Sequence, residues 1–275
     1  MEAVSGGRTA SVRGFFVLAF VFTWGLQIPG VLARKGLLPG DPEAYLPFVM
    51  LGIFGPMVAA IVQTARAEGR GGVRRLFGRL LQWRIGPQWL AMALLLPGLL
   101  LAGGLVLMQL AGYEGSALLL PEGGRWVVIP IIAIAEEVGW RGYALPRLKA
   151  RYGAFAGSVI LGVLWTLWHI PMFVGMDVPL DLLPVMTLML VGGSLFYTWL
   201  VERTGGNLVI AVLAHAGAHL QNAHLTLPAD TLPLLVATIV YAGLGLAVTR
   251  LDRRTFPLTR PPRPTGPRLV LSRGE

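Results

Sequence analysis

The sequence predicts an all-α, polytopic membrane protein with a polar cavity among its helices. Three observations carry this prediction. The 275 residues are 55% hydrophobic and only 13% charged, with mean hydropathy +0.66, where soluble domains carry about 25% charged residues. The apolar residues fall in runs close to the roughly 20 residues that cross a hydrocarbon core. Two adjacent glutamates, Glu136 and Glu137, close an otherwise uncharged run from Trp126 to Ala135, with Arg141 four positions beyond Glu137. A carboxylate at membrane depth costs several kcal/mol unless it is paired or faces a wet cavity.

Eight runs read as spans: Phe15–Leu32, Tyr45–Ala65, Trp89–Ala111, Trp126–Ala144, Phe155–Phe173, Leu182–Val201, Asn207–Asn222 and Leu232–Thr249. The fourth contains charges and the seventh is short. The first is no cleavable signal: it is long, it holds Trp24 and Gln27, and Ala33-Arg34-Lys35 is a poor cleavage site. Residues 1–275 read as a single integral membrane domain, with a basic cytoplasmic tail at 250–275 and no fixed-period repeat or soluble domain. The chain has no cysteine, which excludes disulfides and thiolate metal sites.

Basic residues orient the spans. With eight spans and the N-terminus inside, segments 1–14, 66–88, 145–154, 202–206 and 250–275 are cytoplasmic. They hold 19 of the 23 Lys and Arg residues, against Arg34, Lys35 and Arg125 outside and Arg141 within the membrane. This is the sign of asymmetry that cytoplasmic loops carry. It places both termini in the cytoplasm of a bacterial-type cell membrane. The net charge of +9 therefore reflects topology and contact with anionic lipid, and nucleic acid is not an expected partner.

All four histidines lie after position 168: His169, His215, His219 and His224. The first falls late in the fifth span. His215 and His219, four apart in the seventh, share a helical face, and the small residues between them let another helix approach. At about 1.5 Å per residue, Glu136 lies roughly 15 Å from the outer side, and His215, His219 and His169 lie roughly 12, 18 and 21 Å from the inner side. Four chemically active residues from three spans can thus meet near mid-membrane. A carboxylate with a nearby imidazole can take a proton from water, and a further imidazole can hold an oxyanion. Alternatively, Glu136 with His169, His215 and His219 could hold Zn²⁺ with one position open. Both routes hydrolyse an amide. No His-Glu-x-x-His, Gly-x-Ser-x-Gly or P-loop motif is present.

Glu136-Glu137-Val-Gly-Trp-Arg141 resembles the Glu-Glu-x-x-x-Arg motif of the CPBP intramembrane proteases, the CAAX-prenyl-protease and bacteriocin-processing (Abi) family. Trp165-x-x-x-His169 is similar to its second motif, usually Phe-x-x-x-His. His215-x-x-x-His219 is similar to the third, usually His-x-x-x-Asn. The resemblance covers about 126–222, the expected catalytic core. It implies an intramembrane endopeptidase acting on a membrane-associated peptide or protein. In that reading Glu136 and His169 activate water, His215 and His219 stabilise the oxyanion or assist a metal, and Glu137 with Arg141 is a supporting pair. His219 in place of Asn leaves open both a glutamate-dependent and a Zn²⁺-dependent mechanism.

Other readings stay open at this level. Glu137 and Arg141 also read as a structural ion pair. Trp140, Trp165 and Trp168 read as packing residues lining the cavity, Asn222 and His224 as interfacial, and Asn207 after Gly205-Gly206 as a helix cap. The alternative function is a non-catalytic scaffold or bacteriocin-immunity-type protein on the same fold. A transporter would predict two matching halves with broken spans, and no such symmetry is visible in the sequence.

Overall fold

The computed structural model describes residues 11–113, 123–221 and 231–257. Asn222, His224 and most of the 250–275 tail lie outside the described residues. All regular elements among the described residues are helical. Helix α1 (Val12–Arg34) starts at Ser11, whose side chain accepts from the Gly14 amide, satisfying one of the orphan donors of a helix start. Helices α2 (Leu46–Gly52) and α3 (Gly55–Gly78) follow. Next come α4 (Pro87–Leu94) and α5 (Leu96–Leu110), broken just before Pro97. Helix α6 (Arg125–Glu137) runs into a π-helical segment, Val138–Ala144, and then α7 (Leu145–Tyr152). Helix α8 (Ala154–Trp168) is separated from α9 (Ile170–Gly175) by His169. The bundle is completed by α10 (Leu183–Arg203), α11 (Leu208–Gln221) and α12 (Thr231–Leu251).

Five helical stretches are long and apolar enough to cross a membrane, or six if the α2–α3 pair, bent by 41°, is one span. The count of eight is thus not reached by length and composition among the described residues. The shortfall lies at the fourth and seventh expected spans. The fourth is divided between α6 and the π segment and carries the charged residues, and the seventh is apolar only over Leu208–His219. These two elements pack against each other inside the bundle, where neighbouring helices cover backbone that lipid would leave unsatisfied. Residues 66–88, expected as a loop, are largely helical. Two helical stretches of α3 meet at a kink at Gly69, where φ is 65°, and the second, reaching Gly78, buries Gly72 and Leu76 while Arg70, Arg74 and Arg75 face outward.

Glycine allows the closest helix approaches. A Cβ on Gly192 would lie 2.4 Å from the Tyr241 carbonyl oxygen, and one on Gly162 would lie 2.6 Å from the Val191 Cα. Helices α8, α10 and α12 therefore meet backbone to backbone, pinned by the Ser158–Thr198 hydroxyl contact at 2.7 Å. A Cβ on Gly139 would collide with Pro56 at 2.4 Å, so the π segment lies directly on the start of α3.

Arg79, just beyond α3, donates to the carbonyls of Gly142 (3.1 Å) and Gly206 (2.6 Å). It joins the π segment to the start of α11. That start is capped as expected: the Asn207 side chain accepts from the Val209 amide at 2.8 Å, after Gly205 and Gly206 at φ 69° and 82°. At the far end of α1, Lys35 pairs with Asp177 in the α9–α10 connection. The Lys35 hydrogen bond and charge hold that exposed carboxyl below its usual range.

Candidate active site

The two glutamates end α6 where the helix widens into the π segment. The amide of Leu145 bonds to the Trp140 carbonyl five residues back, the spacing of a π turn, a feature common at functional sites. Adjacent helical residues point about 100° apart, and the two carboxylates accordingly have different partners. Glu136, 2% exposed, accepts from two indole N–H groups, Trp165 Nε1 at 2.7 Å and Trp140 Nε1 at 3.2 Å. Glu137 is fully buried. Its Oε1 accepts from Arg141 Nη1 at 2.7 Å and from His215 Nδ1 at 2.8 Å. The Arg141 guanidinium is wedged against the rings of Trp165 and Tyr197, 4.6 and 4.9 Å from their centroids.

Glu137 and Arg141 therefore form the expected pair, and the pair also fixes a histidine. With Nδ1–H donated to Glu137, neutral His215 leaves its Nε2 lone pair free. That nitrogen lies 3.1 Å from His219 Nε2. His169 is arranged alike: its Nδ1 lies 2.7 Å from the Trp165 carbonyl, so Nδ1 is the donor and Nε2 is free. It sits between α8 and α9, ahead of Pro171, and lines a cavity.

One carboxylate oxygen of Glu136 and one nitrogen each of His215 and His219 lie within 4.8 Å of one another. His169 is outside that group of three, but with His215 and His219 it lines a cavity of about 210 Å³. The remaining wall is apolar, notably Met172, Phe173, Met186, Met189 and Tyr241. Two buried carboxylates face one guanidinium in this cluster, which leaves one negative charge for a proton or a cation to balance. Such a site holds a buried carboxylate with only neutral donors, a group of imidazole nitrogens and an apolar slot.

The glutamates and histidines expected at the site do come together, whereas sequence patterning reads Trp140 and Trp165 as packing residues lining the cavity. Both are donors to Glu136. Trp140 was within reach of inspection, one turn after Glu136. Trp165 is 29 positions away and only the packing of α8 on α6 brings it there. Trp168 is turned elsewhere, donating to Thr23 Oγ1 at 2.8 Å.

Fold and site together define a polytopic membrane protein with a buried carboxylate–histidine cluster. Residues 123–221 match the family model of the type II CAAX prenyl endopeptidases, Rce1-like. A CAAX prenyl protease 2 of Methanococcus maripaludis is 23% identical over 274 residues, covering 88% of this chain and 94% of that protein. The segment that carries the site is thus similar to this protease family, and the archaeal likeness extends over most of the chain. These likenesses support a CAAX-protease-like membrane peptidase.

Proposed function

We propose that the protein is an intramembrane endopeptidase in which Glu136 and His169 activate a water molecule toward a peptide bond. The convergence of Glu136, His215 and His219 within 4.8 Å carries this reading. Glu136 takes the proton of the attacking water and passes it to the leaving amine. His169, with Nε2 free and in the cavity wall, helps orient that water. His215 and His219 stabilise the developing oxyanion when a proton on Nε2 lets the ring donate to it, which His215 carries only as imidazolium and His219 carries in its Nε2–H tautomer. Glu137 holds the His215 ring in one tautomer, and Arg141 holds Glu137. The apolar cavity suits a peptide carried on the membrane. The name of the archaeal relative suggests one ending in a CAAX sequence.

A metal fits the same residues. One carboxylate and two imidazoles are a zinc donor set, and the Glu137–His215 hydrogen bond is the carboxylate–histidine support such ligands use. Glu136, His215 and His219 would hold the ion. Bound there, Zn²⁺ would supply Lewis acidity to the scissile carbonyl.

The test is cleavage of membrane-anchored CAAX reporter peptides, together with comparison of membrane proteomes with and without active protein. Glu136→Gln and His169→Ala should each lower cleavage by about 10²–10⁴ while the protein stays folded and inserted. Full activity in either variant would refute water activation by this pair, whereas no cleavage by wild type would favour the scaffold alternative.

A further inference from the structure

A second pair of cavities lies away from the site, on the outward side of α5 and α12. The first, about 620 Å³, runs between the two helices along Leu99, Gly103 and Leu107 on one side and Val236, Ile239 and Gly243 on the other. The second, about 760 Å³, lies at the end where α5 begins and α10 and α12 finish. Leu244 and Ala247 line both cavities, so the two form one continuous groove. Its long arm is entirely apolar and opens outward: Leu99, Leu107 and Ile239 are each about two-thirds exposed or more. Its end is different in kind. Arg203, Arg253 and Arg254 line it with a single acid, Asp252.

That acid is already committed. Asp252 accepts from Trp199 Nε1 at 2.9 Å and Thr255 Oγ1 at 3.0 Å, and it pairs with Arg203 at 3.4 Å. Among the described residues, no ion pair engages Arg253 or Arg254. The end of the groove therefore carries excess positive charge where the charge asymmetry of the sequence puts the cytoplasmic leaflet.

We propose that this groove binds an anionic glycerophospholipid, its acyl chain along α5 and α12 and its phosphate among Arg203, Arg253 and Arg254. Charge complementarity selects this occupant. A second copy related by a twofold axis along the membrane normal would bring like-charged arginine clusters together. The chain beyond Pro257 adds Arg260, Arg263, Arg268 and Arg273 against the single acid Glu275, so it does not supply the missing negative charge. The site is independent of the peptidase reading, since none of its residues lines the histidine cavity.

Native mass spectrometry of the delipidated full chain in detergent tests the proposal. The probe is an equal mixture of phosphatidylglycerol and phosphatidylcholine with identical acyl chains. Wild type should retain phosphatidylglycerol over phosphatidylcholine by about tenfold or more, the effect of two basic groups near an anionic headgroup. Arg253→Gln with Arg254→Gln should bring the ratio near one. Gly243→Leu should lose both lipids with an unchanged melting temperature, because a Cβ there meets nothing within 4 Å and fills the groove without a clash. Equal retention by wild type, or undiminished retention in Gly243→Leu, overturns the proposal. So does a dimer in wild type that Gly243→Leu converts to monomer, which would assign the groove to a second copy.

Discussion

At the scale of single residues, the two neighbouring glutamates divide the work. Glu136 meets only neutral donors, while Glu137 is locked to Arg141 and His215. Removing the Glu137 charge strands a buried guanidinium, which typically costs about 3–5 kcal/mol. Glu137→Gln should therefore lower the melting temperature in detergent far more than Glu136→Gln. The double variant Glu137→Gln/Arg141→Met should recover much of the loss, since replacing both members of a buried pair is often near neutral. A double variant no more stable than the single would show that the pair is not an isolated unit. His219 is the informative position for mechanism. If Zn²⁺ is held, His219→Asn removes one of its ligands, so bound metal should fall and sensitivity to chelators should rise. If the site works without metal, the asparagine amide replaces an oxyanion donor whose outright loss costs roughly 10²–10³ in rate, and most activity should survive. Bound metal and cleavage measured on the same purified variant separate the two. Undiminished activity with no metal in either protein rules out the metal version.

At the scale of helices, glycine spacing determines how the site is built. Gly192 lets α10 touch α12 at Tyr241, the residue whose ring lines the histidine cavity. Gly192→Val should push these helices apart at an overpacking cost of about 1–3 kcal/mol, read as a lower melting temperature together with reduced cleavage. An unchanged variant on both counts would mean that α12 can shift without affecting the cavity. The π segment is the other decisive element. Its wide turn seats Gly139 on Pro56, while Arg79 joins its far end to the start of α11. Much of this was legible as chain order: the centres of α1, α10, α11 and α12, and the Asn207 cap, follow from apolar runs and local turn chemistry. The break at His169 and the widening after Glu137 were not, because both depend on what packs alongside.

For the whole molecule, the distribution of arginine is the strongest organising feature. If eight segments cross the membrane, reporter fusions at Arg8 and after Arg273 should both read cytoplasmic, and one after Glu122 should read external. An external signal from the C-terminal fusion would mean that one segment does not cross, and would point to α11, whose apolar stretch, Leu208–His219, is too short to span unaided. On the proposal above, the same asymmetry would draw anionic lipid to the arginine end of the α5–α12 groove.

By itself the sequence determined the class of protein, most of the segments that become helices and the glutamates and histidines that gather at the candidate site. These depend on hydropathy, helical spacing and the rarity of charge in an apolar run, all local properties. Tertiary structure alone decided which glutamate faces which partner, that two tryptophans donate to Glu136, and that His215 stands behind Glu137 with its Nε2 beside His219. Those contacts join α6, α8 and α11 across 29 to 78 positions of sequence. No periodicity along one helix records the rotation of another helix against it.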